Sequence, residues 1–246
     1  LVNDNLTISD EASDIELNSD DILQDLDYQS QLEDGESDEI TVENWEELQY
    51  YCSLTDKDYT LKLKENTNYY PTNPKDSNYQ IKINNNVKII GSNGSYIGDS
   101  TPDGGVYYES NSRYITYIPI IAEASSIDVV LENITFKWIH TFKQPDSIVM
   151  QLDSGGTTYI KGCTFDTIDT MVGGGSVVHL KKGEAVLEDC SFVNCNVPKA
   201  IIMVSQGQEM IMRNCYFANN YGSEHSTCGM NTSRSEERFS RNAETD

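Results

Sequence analysis

The residues of this chain that could do chemistry are six cysteines, three histidines and 40 acidic side chains set against 17 basic ones. Thiols and imidazoles at short spacing would hold a metal. Carboxylates paired at a set separation would act as general acid and base. The sequence carries neither pattern. There is no Cys-x-x-Cys pair, and Cys190 and Cys195 are five apart with no histidine beside them, which argues against zinc. His140, His179 and His225 share no spacing. His179 lies in SVVHLKK, where alternation turns it away from Val178 and Leu180, so it reads as a surface histidine with no second ligand or base nearby. No catalytic, metal or cofactor-binding residue is therefore assigned, no cofactor is expected, and the ligand-binding residues stay open.

The elements that would position any site are written in a phrase that returns four times. It reads VVLENITF at 129–136, TYIKGCTF at 158–165, AVLEDCSF at 185–192 and MIMRNCYF at 210–217. The closing Phe136, Phe165, Phe192 and Phe217 are 29, 27 and 25 residues apart. Registered on them, Leu131, Ile160, Leu187 and Met212 form an apolar column, and Glu132, Lys161, Glu188 and Arg213 a charged one. Asn133, Gly162, Asp189 and Asn214 follow, the types that tolerate a left-handed bend. The phrase alternates with period 2 on either side of that residue, as a strand–bend–strand does. Each phrase follows a second apolar run (YIPIIAEA, SIVMQLD, SVVHLKK, AIIMVSQ), joined to it by a Gly- or Ser-containing turn. A variable period with constant column chemistry suggests stacked coils. The predicted fold is all-β, a right-handed parallel β-helix, the hand following the general bias of parallel connections.

Two columns carry expectations of their own. Ile134, Cys163, Cys190 and Cys215 would stack inward. Neighbouring Cα atoms about 4.8 Å apart suit a disulfide in distance, but parallel side-chain vectors do not suit its torsion, so buried free thiols are expected. The charges of Glu132, Lys161, Glu188 and Arg213 alternate in sign from coil to coil. In register, each faces an opposite charge about 5 Å away, and a one-residue slip would turn the charges inward. Such a neutralised flank is a poor site for an acidic polymer, so a binding face is expected on another flank or in the Tyr-rich loops before residue 118.

Taken in order, residues 1–39 hold fourteen Asp and Glu and no Lys or Arg, which reads as a disordered acidic linker. The formal net charge of −23 argues against a nucleic-acid partner. The chain starts at Leu1 without a signal peptide or an apolar run long enough to cross a membrane, and reads as a mature or trimmed product. In ITVENWEELQYYCSL (40–54), Asn44 and Glu47 form a loose capping box, with Trp45, Leu48 and Cys52 on one face. This is the expected helical cap for the open end of the solenoid. The following strands YTLKL, YQIKI and NVKIIGS alternate with loops carrying Tyr69, Tyr70, Tyr96, Tyr107 and Tyr108, which either pack on the coil flank or present rings to a sugar or protein partner. Sequons stand at Asn5, Asn93, Asn133 and Asn231. Residues 223–246 hold three of the five arginines and no strand pattern, and read as an unstructured, non-native tail after the β-helix of 40–222.

The run from Thr41 to Asp99, TVENWEELQYYCSL…NNNVKIIGSNGSYIGD, resembles adhesin-like surface proteins of methanogenic archaea. The later Asn-Cys-x-Phe coils resemble that family's pectate-lyase-like β-helix region. The resemblance spans 40–222 and implies a secreted, cell-surface protein serving in attachment, with another microbial cell or a surface glycan as partner. It carries over no site residues. The coils lack what a pectinolytic enzyme of this fold would need: they hold no Asn-x-Asp followed by Asp-Asp and no Gly-His-Gly, and Arg213 is their only arginine. The expected function is thus a non-enzymatic adhesin-like module without membrane insertion. The alternatives are a polysaccharide lyase or glycoside hydrolase acting on an acidic polysaccharide, and a stalk that only spaces other domains from the wall. One consequence is directly measurable: amides of residues 1–39 should exchange with deuterium at nearly free-peptide rates, and strong protection there would refute the linker reading.

Overall fold

The computed structural model describes residues 38–100, 115–142, 147–170, 175–222 and 228–230. Residues 1–37 and 231–246, on which the linker reading and most of the tail reading rest, lie outside them. Every strand pairing among the described residues is parallel, and the strands fall into three sheets of eleven, six and four. The six-stranded sheet stacks Asn68–Tyr69, Tyr96–Ile97, Thr135–Lys137, Thr164–Asp166, Ser191–Val193 and Tyr216–Ala218. The four-stranded sheet stacks His140–Thr141, Asp169–Thr170, Asn196–Val197 and Tyr221–Gly222. This is a parallel β-helix. Among the described residues no helix is long and apolar enough to cross a membrane.

The predicted register holds. Phe136, Phe165 and Phe192 are fully buried, and the four phenylalanine rings stack at centroid distances of 4.7, 4.6 and 4.9 Å with interplanar angles of 5° or less. Isolated rings prefer offset or edge-on packing. The near-parallel stack here follows the spacing of the strands that carry it, about 4.8 Å. The bend column is left-handed throughout: φ is 54° at Asn133, 61° at Gly162, 52° at Asp189 and 51° at Asn214. A backbone ladder runs along it, from Asn133 N to Lys161 O (2.9 Å), Gly162 N to Glu188 O (2.9 Å) and Asp189 N to Arg213 O (3.0 Å).

Three details differ from the expected architecture. The paired strands of the middle coils are continuous: Ile148–Lys161 and Ser176–Glu188 each pass through a glycine with positive φ, 75° at Gly155 and 91° at Gly183. A shift in register absorbs the bend between Leu152 and Thr157, so the chain bulges where a separating turn was expected. The helix (α1, Trp45–Ser53) lies after a first strand, Asp38–Val42, which pairs with Tyr59–Leu63. Asp38 and Glu39 therefore belong to the solenoid although their composition matched the linker. At the far end, Cys228–Met230 pairs with Ile202–Val204, so strand pairing extends into the segment read as unstructured.

The helix itself has the predicted cap. Asn44 Oδ1 accepts from Glu47 N at 2.9 Å, and Glu47 Oε2 accepts from Glu43 N at 2.8 Å. Trp45, Leu48 and Cys52 are buried, and Trp45 Nε1 donates to Tyr79 O at 2.7 Å.

The cysteines at 52, 163, 190, 195 and 215 are free. In the stacked column, each thiol donates to a carbonyl of the preceding coil: Cys163 to Leu131 O (3.5 Å), Cys190 to Ile160 O (3.2 Å) and Cys215 to Leu187 O (3.6 Å). Hydrogen bonding to the Cys163 thiol, with burial, pushes Cys190 up to about 12, and burial pushes Cys52 and Cys195 to about 12 as well. An unfolded thiol ionises near about 8.5. Stability from these raised values is intact below that pH and is lost as pH climbs toward the folded values.

Two outcomes follow from this core. Phe165→Ala opens a hole in the middle of the ring stack and should cost about 3–5 kcal/mol in urea unfolding. The urea midpoint should stay flat up to about pH 8 and fall above about pH 9, with a shallower fall in Cys195→Ala; an unchanged alkaline slope in that variant would remove the thiol explanation.

Candidate functional site

The histidines do not form a site in the way surface residues would. His179 is buried at 8% exposure, with Nε2 3.2 Å from Ser205 Oγ. Alternation assigned it correctly to the outer face of its strand. That face is covered, since its column neighbours Ile121 and Gln151 are only 7% and 5% exposed. His140 is buried too, with Nδ1 3.8 Å from Asp169 Oδ2 on the next coil. Asp169 Oδ1 in turn accepts from Asn196 Nδ2 at 3.3 Å, one coil further on. At 3.8 Å the carboxylate is near the imidazole but beyond the reach of a hydrogen bond that would orient it as a base. His225 lies outside the described residues. Among those residues, no group of three or more His, Cys, Asp or Glu is placed to hold a metal ion.

The charged column is in register, with Glu132, Lys161, Glu188 and Arg213 as successive Cα partners. Lys161 Nζ lies 3.5 Å from Glu188 Oε2, while Glu132 Oε2 pairs with Lys88 Nζ at 3.2 Å on the preceding coil. These side chains are a quarter to two-fifths exposed, and each such pair is worth about 0–1 kcal/mol. The ladder selects register more than it adds stability.

A different flank is open. The turn 91–95 and the outer face of Thr135–Lys137 enclose a groove of about 390 Å³. Phe136 points inward, so Thr135 and Lys137 must point out. The turn is self-braced: Ser95 Oγ donates to Ser92 O (2.7 Å) and accepts from Ser92 N (2.9 Å). Gly91 is required there, because a Cβ would lie 2.0 Å from Asn133 O. Gly98 is required beside it, because a Cβ would lie 1.6 Å from Lys137 O. Asn93, Asn133 and Tyr96 complete the wall, and no Asp or Glu stands among the residues lining the groove. Two of the sequon asparagines, Asn93 and Asn133, thus share one groove. The floor continues along the axis as a hydroxyl row, Thr135, Thr164 and Ser191, with Ser191 Oγ donating to Thr164 Oγ1 at 3.3 Å.

Beside this groove sits an aromatic–cation cluster. Lys137 Nζ lies 3.8 Å from the Tyr96 ring centroid and 4.3 Å from that of Trp138. The two rings meet edge-on at 5.8 Å and 76°. Burial, with Asp99 nearby, holds the Tyr96 hydroxyl above its ordinary range, so it remains a donor at neutral pH. Trp138 has φ of 57°, at a second left-handed bend where the later coils place Thr167 (53°), Asn194 (56°) and Asn219 (54°). Left-handed backbone costs a bulky residue about 1–2 kcal/mol, and asparagine less. Sequence reasoning singled out Tyr96 among the loop tyrosines but missed Lys137 and Trp138. Their signal was present: a Trp two residues after the column Phe, where two of the other three phrases have Asn. The other loop tyrosines divide. Tyr69 is buried, its hydroxyl donating to Val42 O (2.6 Å) and accepting from Lys64 N (2.8 Å), and Tyr70 packs against the core. Tyr107 and Tyr108 lie outside the described residues.

Two other grooves offer less. One of about 540 Å³ follows the bulges at Gly155, Gly183 and Gly207, and Glu184 and Glu209 stand in its wall beside Lys182. The other, about 470 Å³, lies between α1 and 77–84, and its Lys82 is paired with Glu123 at 3.6 Å.

No family model matches the chain, and none of the curated proteins matches it. Among solved structures, one from Parabacteroides merdae, titled a "putative glycosyl hydrolase", aligns over 86% of this chain and 91% of its own at 13% identity. Its TM-score is 0.22, too low for residue correspondences to bear on the site. What stands is the architecture of the described residues: an all-β parallel β-helix with a short α-helix, Trp45–Ser53, near its N-terminal end.

Proposed function

We propose that this chain is a non-enzymatic attachment module of the cell surface, which holds the groove flank of its β-helix against a glycan or the surface of another cell. The observation that carries this reading is the lining of the groove at Gly91–Lys137. Amide, hydroxyl, aromatic and ammonium groups converge there, with no carboxylate among the described residues that line it. That set offers a saccharide hydrogen-bond partners and a ring to stack on, without the acid and base that cleavage needs. The resemblance of residues 40–222 to adhesin-like surface proteins points the same way, and implies secretion.

A second reading is an enzyme acting on an acidic polysaccharide. It is favoured by the column His140–Asp169–Asn196, which sets a potential base against a carboxylate on adjacent coils. Against it stand the exposures of the two partners, 5% and 16%, which leave little imidazole surface for a substrate.

The two readings and the stalk alternative separate in one set of measurements. The chain should be retained on a glycan array, or on whole cells, while releasing no reducing ends and no unsaturated products from the bound glycans, with or without calcium. Product release that disappears in His140→Ala would replace attachment by catalysis. No retention on any glycan or cell would leave only a spacing role.

A further inference from the structure

Resting on the attachment reading, we infer that the groove between the Gly91–Tyr96 turn and the Thr135–Lys137 strand binds an acidic sugar: Lys137 serves as counter-ion and Tyr96, backed by Trp138, as the stacking platform.

The inference starts from how Lys137 is held. Lys64, Lys82, Lys88 and Lys161 each pair with a glutamate. Lys137 forms no ion pair among the described residues and is held over two aromatic rings. Rings fix the position of an ammonium but carry no formal charge, so its charge is left to be matched from outside. The acid in register on the next coil, Asp166, is engaged elsewhere: its Oδ1 accepts from Thr167 Oγ1 (2.9 Å) and Asn194 Nδ2 (2.9 Å). Thus the cation faces a groove whose other walls are hydroxyl and amide groups.

The second, independent observation is the backbone at Trp138. An indole stands in a left-handed conformation that later coils give to Thr or Asn. Folding does not require it, since those coils bend identically without it. Such outliers persist where surrounding structure holds them, and they gather at functional positions. What the Trp adds here is a second ring for Lys137 and an edge against Tyr96.

Ligand class follows from the combination. A sugar ring stacks on an aromatic face, its hydroxyls take up amide and hydroxyl partners, and its carboxylate or sulfate meets the ammonium. The chain carries −23 overall, so an anionic ligand has no long-range attraction to exploit. Selection must come from contact with this one cation, within the screening length of roughly 8 Å at physiological salt.

The test uses the full chain made in a host that leaves Asn93 and Asn133 unglycosylated. Probes are a glucuronate-terminated disaccharide, the glucose-terminated disaccharide of the same linkage, and its sulfated counterpart, followed by calorimetry and by amide shifts around Tyr96. The acidic sugar should bind about tenfold more tightly than the neutral one, the size of one charge-assisted hydrogen bond. Lys137→Gln should abolish that preference, whereas Lys161→Gln on the neutralised flank should alter the affinity for neither sugar. Trp138→Asn should weaken both sugars while its thermal midpoint stays equal or rises. Equal affinity for acidic and neutral probes, or an unaffected preference in Lys137→Gln, overturns the counter-ion role. A lowered midpoint in Trp138→Asn that accounts for its lost binding makes the Trp structural and overturns the platform. If the array retains the chain on glycans but none of these probes shifts Tyr96, the site is wrong and the attachment reading survives. If no glycan retains it, the attachment reading fails first.

Discussion

The structure depends on one backbone constraint: each coil must bend at the same left-handed positions, so that its amides meet the carbonyls of the coil beside it. Asn133, Gly162, Asp189 and Asn214 share φ values within ten degrees of one another. The amides of the first three reach the carbonyls of Lys161, Glu188 and Arg213 along that bend. Once that bend is fixed, the residue three places on must point inward, and the phenylalanines stack at the strand spacing whatever geometry the rings would prefer alone. The thiol-to-carbonyl contacts are a further consequence of the same register, and the alternating charges favour it over a slipped one.

The register also explains why facing outward and being exposed are different properties here. On the large sheet, the outer column of Ile121, Gln151 and His179 is covered. On the six-stranded sheet, the outer column of Thr135, Thr164 and Ser191 is partly open. A solenoid offers several flanks of similar backbone geometry, and only those that stay uncovered can meet another molecule.

How much of this could be read from residues alone depended on repetition. The Phe, bend and charge columns recur in one short phrase, so their chemistry is visible as aligned letters. The second bend is equally regular in backbone, yet it is occupied by Trp138, Thr167, Asn194 and Asn219, whose letters do not announce one conformation. Asp38–Val42 was hidden because its acidic start matches the run before it. Cys228–Met230 was hidden because three residues are too few to show alternation. The groove was hardest. Gly91 and Asn133 stand 42 residues apart, and only the stacking of their coils brings them together. Tyr96 was legible as an accessible loop tyrosine, but its partners Lys137 and Trp138 fall inside a repeat, where the eye reads consensus and passes over departures.

Those departures are where a solenoid can carry function at least cost. Each coil contacts only its neighbours, so strain in one is borne locally and the others keep their geometry. Trp138 illustrates this. Its left-handed backbone matches the bends at Thr167, Asn194 and Asn219, so the conformation is imposed by the stack and only the side chain is unusual. Gly98 complements it from the preceding coil, where any side chain would strike the carbonyl of Lys137. The two positions act as a pair: absence of a Cβ on one coil lets the next approach closely enough to seat Lys137 and Trp138 against Tyr96. An aromatic–cation cluster can thus be inserted into a single coil without changing the register on either side. The same logic separates the flanks electrically. Where successive coils alternate in sign, their charges satisfy one another and the surface is inert. Where a lysine is held by rings in place of a carboxylate, as at Lys137, no such pairing among the described residues offsets its charge.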